Sequence, residues 1–121
     1  DVDQITALQR VDIAYAYSGV DGVAVKALAD AGCAGIVSAG LGSGSAPRAF
    51  LDALSQARER GICIVMASQA GNGRVMAKRA FVERGFAVAD NLAPKKVRVL
   101  LMLALATTRD TDEIQRMMLK Y

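Results

Sequence analysis

A chain of 121 residues makes one ordinary domain, large enough to bury a core without disulfide or metal staples. Apolar residues make up 53% and charged residues 22%, which excludes a disordered chain, and the longest uncharged apolar run, Val99 to Ala106, is far short of the roughly 20 residues a membrane helix needs. Fifteen Lys+Arg against 12 Asp+Glu leave +3, and the absence of histidine excludes Ser-His, Cys-His and His-metal catalysis within this chain.

In chain order, the sequence begins at Asp1 rather than Met and shows no signal-peptide pattern. It is expected to be a processed chain or a piece of a longer one. Four short runs read as strands: Val11-Asp-Ile-Ala-Tyr-Ala-Tyr17, Ala34-Gly-Ile-Val-Ser38, Gly61-Ile-Cys-Ile-Val-Met-Ala67 and Gly85-Phe-Ala-Val-Ala89. Helical stretches lie between them. Val20, Val23, Ala24, Ala27, Leu28 and Ala31 form a first stripe, ended by Gly32. Pro47 suits the first turn of a second helix, whose stripe is Phe50, Leu51, Leu54 and Ala57 and whose stop is Gly61. Residues 75–84 read as a short basic helix. Pro94 opens another, with Val97, Leu100, Leu101, Ala104 and Leu105 on one face. Asp110 and Glu113 predict a capping box for the last helix, which carries Ile114, Met117, Met118 and Tyr121 and an Asp112–Arg116 pair. Near-continuous apolar strands alternating with helices predict an α/β fold: three layers, about four parallel strands flanked by helices, a small flavodoxin-like or Rossmann-like domain over residues 1–121.

One helix is apolar all round, from Val99 to Ala106. That pattern asks for burial on every side, either by another domain or subunit or by a sandwiched position inside this domain. Cys33 and Cys63 lack metal-ligand spacing and adjoin strand-like runs, so they read as buried free thiols. No metal site and no cofactor are expected. Residues 1–60 carry 5 basic and 7 acidic groups and residues 61–121 carry 10 and 5. The basic residues are scattered, with no Trp, so a solvated surface is expected and no nucleic acid or membrane partner.

Two loops can carry chemistry. Ser38-Ala-Gly-Leu-Gly-Ser-Gly-Ser45 follows the second strand and precedes a helix. Its glycines suit either a backbone cradle for an anion or a tight strand-to-helix turn. The dinucleotide fingerprint fits poorly, because Ser45 stands where Gly or Ala is expected. Ser68-Gln-Ala-Gly-Asn-Gly-Arg74 follows the third strand and is either a turn or part of a site. Asp12 lies inside the first strand and is expected to meet a base or a backbone donor; Asp21 suits the positive end of the first helix. Tyr15 and Tyr17 read as core or interface packing.

Taken together, Val11-Asp-Ile-Ala-Tyr-Ala-Tyr17, Ala27-Leu-Ala-Asp-Ala-Gly-Cys-Ala-Gly-Ile-Val-Ser-Ala-Gly40, Gly42-Ser-Gly-Ser45 and Asn91-Leu-Ala-Pro-Lys-Lys-Val-Arg-Val-Leu-Leu-Met-Leu-Ala-Leu105 resemble the C-terminal domain of bacterial L-asparaginases. Thr108-Arg-Asp110 and the closing Lys120-Tyr121 agree, and the strings look closer to the type II, asparaginase/glutaminase-like branch. The resemblance covers nearly the whole chain and is weakest over residues 70–84.

The resemblance implies an amidohydrolase that converts Asn, and often Gln, to the acid with release of ammonia. It implies that the nucleophile lies in an N-terminal domain not contained in this chain, so that no catalytic residue is expected here and the chain alone should be inactive. The C-terminal domain then completes the pocket of a neighbouring subunit in a dimer, two of which form a tetramer. Carried over by position, Ser45 is the expected substrate contact, flanked by Ser43 and Gly44. The family's substrate-contacting Glu falls, depending on the gap, at Lys78 or Ala80, with Glu83 the nearby carboxylate. Type II resemblance favours the periplasm over the cytoplasm. The competing expectation is a stand-alone small-ligand or anion-binding α/β module using Gly40 to Ser45.

Overall fold

Period-two alternation in a strand buried on both faces sends successive side chains into two different cores. The structure, a computed structural model that describes residues 8–70 and 74–121, shows this arrangement. Strands β1 (Val11–Tyr15), β2 (Gly35–Gly40), β3 (Cys63–Ser68) and β4 (Ala87–Val88) form one parallel sheet in the order β1-β2-β3-β4. The register sets Val11 beside Gly35, Gly35 beside Cys63 and Val65 beside Ala87. Every residue of β2 and β3 is buried, which explains why both read as unbroken apolar runs.

Helices α1 (Val23–Asp30), α2 (Arg48–Glu59) and α3 (Arg79–Val82) make the crossovers between successive strands. On their side of the sheet, Ile36, Ile64 and Met66 pack with Val25, Phe50, Leu54 and Phe81. Phe50 and Leu54 are fully buried, each worth about 1.5–3 kcal/mol of transfer free energy. Helices α4 (Pro94–Leu105) and α5 (Thr111–Lys120) fold back over the other face, where Val37 and Val65 meet Val97, Leu101, Ile114 and Met118. The result is a three-layer α/β domain. The strand order follows the sequence without reversal, so the sheet has no switch-point crevice of the doubly wound kind. A site at its carboxyl edge is therefore built by loops.

The same two C-terminal helices close both sheet edges. Arg98 Nε of α4 donates to Val11 O at 2.7 Å on β1. On β4, Gln115 Nε2 of α5 donates to Val88 O at 2.9 Å, and Val88 N donates to Gln115 Oε1 at 2.8 Å. One side-chain amide thus satisfies both groups that a two-residue edge strand turns outward.

Several expectations need correction. The first helix starts at Val23, so Val20 lies outside its wheel; the buried face is Val25 and Ala29, and Val23 is exposed. The helix expected over residues 75–84 shrinks to Arg79–Val82, because Val75 bridges to Asp90 instead. The fourth strand is cut to two residues by Asp90, whose φ of 57° turns the chain away. Asp110 caps α5 by accepting from Asp112 N at 2.9 Å; it does not bond the third residue of the helix as a capping box requires. No Asp112–Arg116 ion pair occurs among the described residues. Tyr15 and Tyr17 are 53% and 61% exposed, which removes the core reading for both. Helix α4 buries Val97, Leu101, Ala104 and Leu105 but leaves Val99 53% and Leu103 44% exposed, so it is not sandwiched inside this domain.

Candidate functional site

The carboxyl ends of the strands bring the two polar loops together. After β2, the chain makes a tight knot. Leu41 N donates to Ser45 O, while Gly44 N and Ser45 N both donate to Leu41 O, each at 2.8 Å. Two consecutive N–H groups of the knot therefore point at its own carbonyl, and that half of the expected anion cradle is closed. Glycine is required here twice. A Cβ at Gly40 would stand 2.4 Å from Gly44 O, and Gly44 has φ +92° with Val75 Cγ1 only 2.9 Å from where its Cβ would be.

The β3 side holds this knot residue by residue. Ser68, buried, donates its hydroxyl to Gly42 O and accepts from Ala70 N at 3.1 Å. Lys78 Nζ donates to Ser43 Oγ at 2.5 Å and lies 5.5 Å from the centroid of the buried Phe81 ring. Val75 packs under Gly44 and is itself tied by Val75 N to Asp90 O at 2.8 Å. Arg74 pairs with Asp90, which adopts the left-handed backbone that Asp tolerates better than most residues. Gln69 joins the floor. Its amide donates to Ala16 O at 2.6 Å and Ala39 O at 2.7 Å, and its own N–H donates to Gly40 O at 2.9 Å.

Of the three residues expected to bind substrate, Gly44 is buried, while Ser43 and Ser45 are exposed. Ser43 is engaged by Lys78. The hydroxyl of Ser45 makes no hydrogen bond among the described residues, so Ser45 is the exposed serine of the pair whose side chain is not engaged. Ala80 and Glu83 both belong to the exposed outer side of the α3 region, where Glu83 pairs with Arg79 at 2.7 Å. Residues 71–73 of the second polar loop, with the expected Asn72-Gly73 turn, lie outside the described residues. Two elements of the site were not foreseen: the Gln69 amide across β1 and β2, and the Lys78–Ser43 bond. The signal for the first was a polar pair, Ser68-Gln69, placed directly after an apolar strand.

The other reactive groups lie elsewhere. Cys33 and Cys63 are buried free thiols, as expected. Burial pushes both thiols up, Cys63 to about 11, which suppresses the nucleophilic thiolate. Asp21 Oδ1 accepts from Val23 N at 3.1 Å at the start of α1, and Asp12 pairs with Arg10 at 2.8 Å. No cluster of metal-ligating side chains occurs among the described residues, and none of their helices is long and apolar enough to cross a membrane.

The comparisons with known proteins agree with this geometry. Over residues 10–118 the chain matches the Glutaminase/Asparaginase C-terminal domain family. It is 39% identical to a glutaminase-asparaginase of Pseudomonas fluorescens biotype A and 37% identical to L-asparaginase 2 of Escherichia coli K12, with all of this chain covered in both. It spans only 34% and 35% of those proteins, about a third of their length. The crystal structure of a probable cytoplasmic L-asparaginase from Campylobacter jejuni superimposes with a TM-score of 0.94 at 43% identity, covering 100% of this chain and 40% of that one. A four-stranded parallel sheet covered by helices on both faces, with this sequence along its whole length, makes the chain a member of the Glutaminase/Asparaginase C-terminal domain family.

Proposed function

We propose that this chain serves an L-asparaginase-like amidohydrolase as the domain that completes a neighbouring subunit's pocket for an amide amino acid, Asn or Gln. The observation that carries the reading is Ser45: an exposed serine at the end of a knot whose three preceding residues, Gly42, Ser43 and Gly44, are held from the β3 side. A hydroxyl on so constrained a backbone gives a ligand a fixed hydrogen-bond donor and acceptor at little entropic cost. The catalytic nucleophile comes from the N-terminal asparaginase domain, and the chain alone is inactive. Its buried, protonated thiols and lack of histidine fit that division of labour.

The assembly is a dimer that pairs into a tetramer, and the exposed face of α4 is an interface in it. Val99, Leu100 and Leu103 with Met117 and Tyr121 of the C-terminal segment line a groove of about 680 Å³ between α4 and the end of the chain. Exposed apolar area of this kind on a small domain marks a contact surface. The test is reconstitution with a purified N-terminal asparaginase domain. Ammonia release from L-asparagine appears only in the mixture and falls about tenfold or more with Ser45→Ala. Turnover indifferent to Ser45→Ala removes the pocket role, and activity of the chain alone removes the division of labour.

A further inference from the structure

We infer that Lys78 is a specificity-determining residue, which makes the loop Leu41–Ser45 receive a carboxylate group of the ligand; the inference rests on the proposed role of that loop in a substrate pocket. Three consecutive loop residues are gripped from one side: Gly42 through its carbonyl by Ser68, Ser43 through its hydroxyl by Lys78, and Gly44 by the Val75 side chain. Two of these grips use neutral groups. The third brings an ammonium ion into the loop, 2.5 Å from Ser43 Oγ.

The charge there is uncompensated among the described residues. The carboxylates of the same region are taken by arginines, Asp90 by Arg74 and Glu83 by Arg79, and Lys78 forms no ion pair. Its ammonium also lies over the Phe81 ring, 5.5 Å from the centroid, a contact that steadies a cation without neutralising it. The hydrogen-bond inventory points the same way. Lys78 uses one N–H on Ser43 and keeps two donors. Ser43, accepting from Lys78, keeps its O–H as a donor. The exposed side of this pair thus offers donors and positive charge, which suits a carboxylate and repels an ammonium group.

The experiment is an amide-resolved NMR titration of this chain with succinate, which carries two carboxylates and no ammonium, and with 1,4-diaminobutane, its charge opposite. Succinate shifts the signals of Ser43, Gly44, Ser45 and Lys78 in a saturable way. Diaminobutane leaves them in place. Lys78→Met keeps the stem over Phe81 but removes the charge; it weakens succinate about tenfold while the β2 and β3 signals stay native. Lys78→Arg, which keeps the charge, retains the response. A succinate response equal in Lys78→Met, no succinate response in the native chain, or a loop response to diaminobutane each overturns the inference. Failure of the amidohydrolase reading shows separately, as absent turnover in the reconstituted mixture while the carboxylate titration persists.

Discussion

Ser38 sits in the middle of β2 between Ala14 and Met66, fully buried, and its hydroxyl has no hydrogen-bond partner among the described residues. A desolvated hydroxyl without a partner is a penalty rather than a gain. Ser38→Ala is therefore expected to leave stability unchanged or raise it by about 1 kcal/mol, read from urea unfolding. Gly44→Ala has the opposite sign. It demands φ +92° of an L residue and presses a methyl against Val75, so it costs about 1–2 kcal/mol and loosens the loop. Cys63 sets an alkaline limit. Its thiol titrates near 11 in the fold against 9.0 in an exposed chain, so between those pH values the folded state holds a proton that the unfolded state has released. Stability from this group is full below about pH 9 and declines by about 2–3 kcal/mol on going to pH 11, checked by unfolding at stepped pH in the native chain and in Cys63→Ser. Asp30 acts at the other end. Hydrogen bonds from Lys26 and Arg60 lower its pKa below 3.8, so its contribution is present near neutrality and is lost on acidification through that lowered value.

Among the elements, the sheet edges make the clearest prediction. Gln115 gives β4 the equivalent of a fifth strand, one residue long. Gln115→Ala strips Val88 of both partners, costs about 2 kcal/mol, and opens an edge for pairing between chains, visible as association in sedimentation velocity. How far such elements could be read from the sequence depended on how local their causes are. β2 and β3 were legible because burial on both faces leaves an apolar run with no other explanation. α2 and α4 were legible because the buried faces Phe50-Leu54-Ala57 and Val97-Leu101-Ala104 obey the helical period. The stripe expected for α1 has the wrong phase: Val23, Ala24, Ala27 and Ala31 are exposed, and the buried residues are Val25 and Ala29, while Val20 is buried but precedes the helix. The two-residue β4 and the short α3 owe their limits to the Val75–Asp90 bridge, a contact between loops that no local pattern encodes. The glycine loop is visible in the sequence as a feature, but the closure of Gly44 N–H and Ser45 N–H on Leu41 O is a geometry that its spacing does not encode. The Lys78–Ser43 bond spans 35 residues and exists only because the sheet brings the loops together.

At the scale of the whole molecule, the two helical layers differ in what they face. One consists of crossover helices interleaved with the strands, while the other consists of α4 and α5, added after the sheet is complete, with Val99 and Leu103 turned to solvent. Val99→Lys with Leu103→Glu is expected to leave the unfolding midpoint of the isolated chain nearly unchanged, since both side chains are already half wet, but to lower the oligomer mass of the reconstituted enzyme in light scattering. The strand order has a kinetic consequence of its own. Because every strand pairs with the next one along the chain, the sheet can grow by addition of one βα unit at a time, each step closing a single helical crossover. The two C-terminal helices follow all four strands in the chain and, through Arg98 and Gln115, fasten the first and the last of them. Since these fastenings come from outside the sheet, hydrogen exchange in the native state should release α5 and β4 well before the amides of β2 and β3.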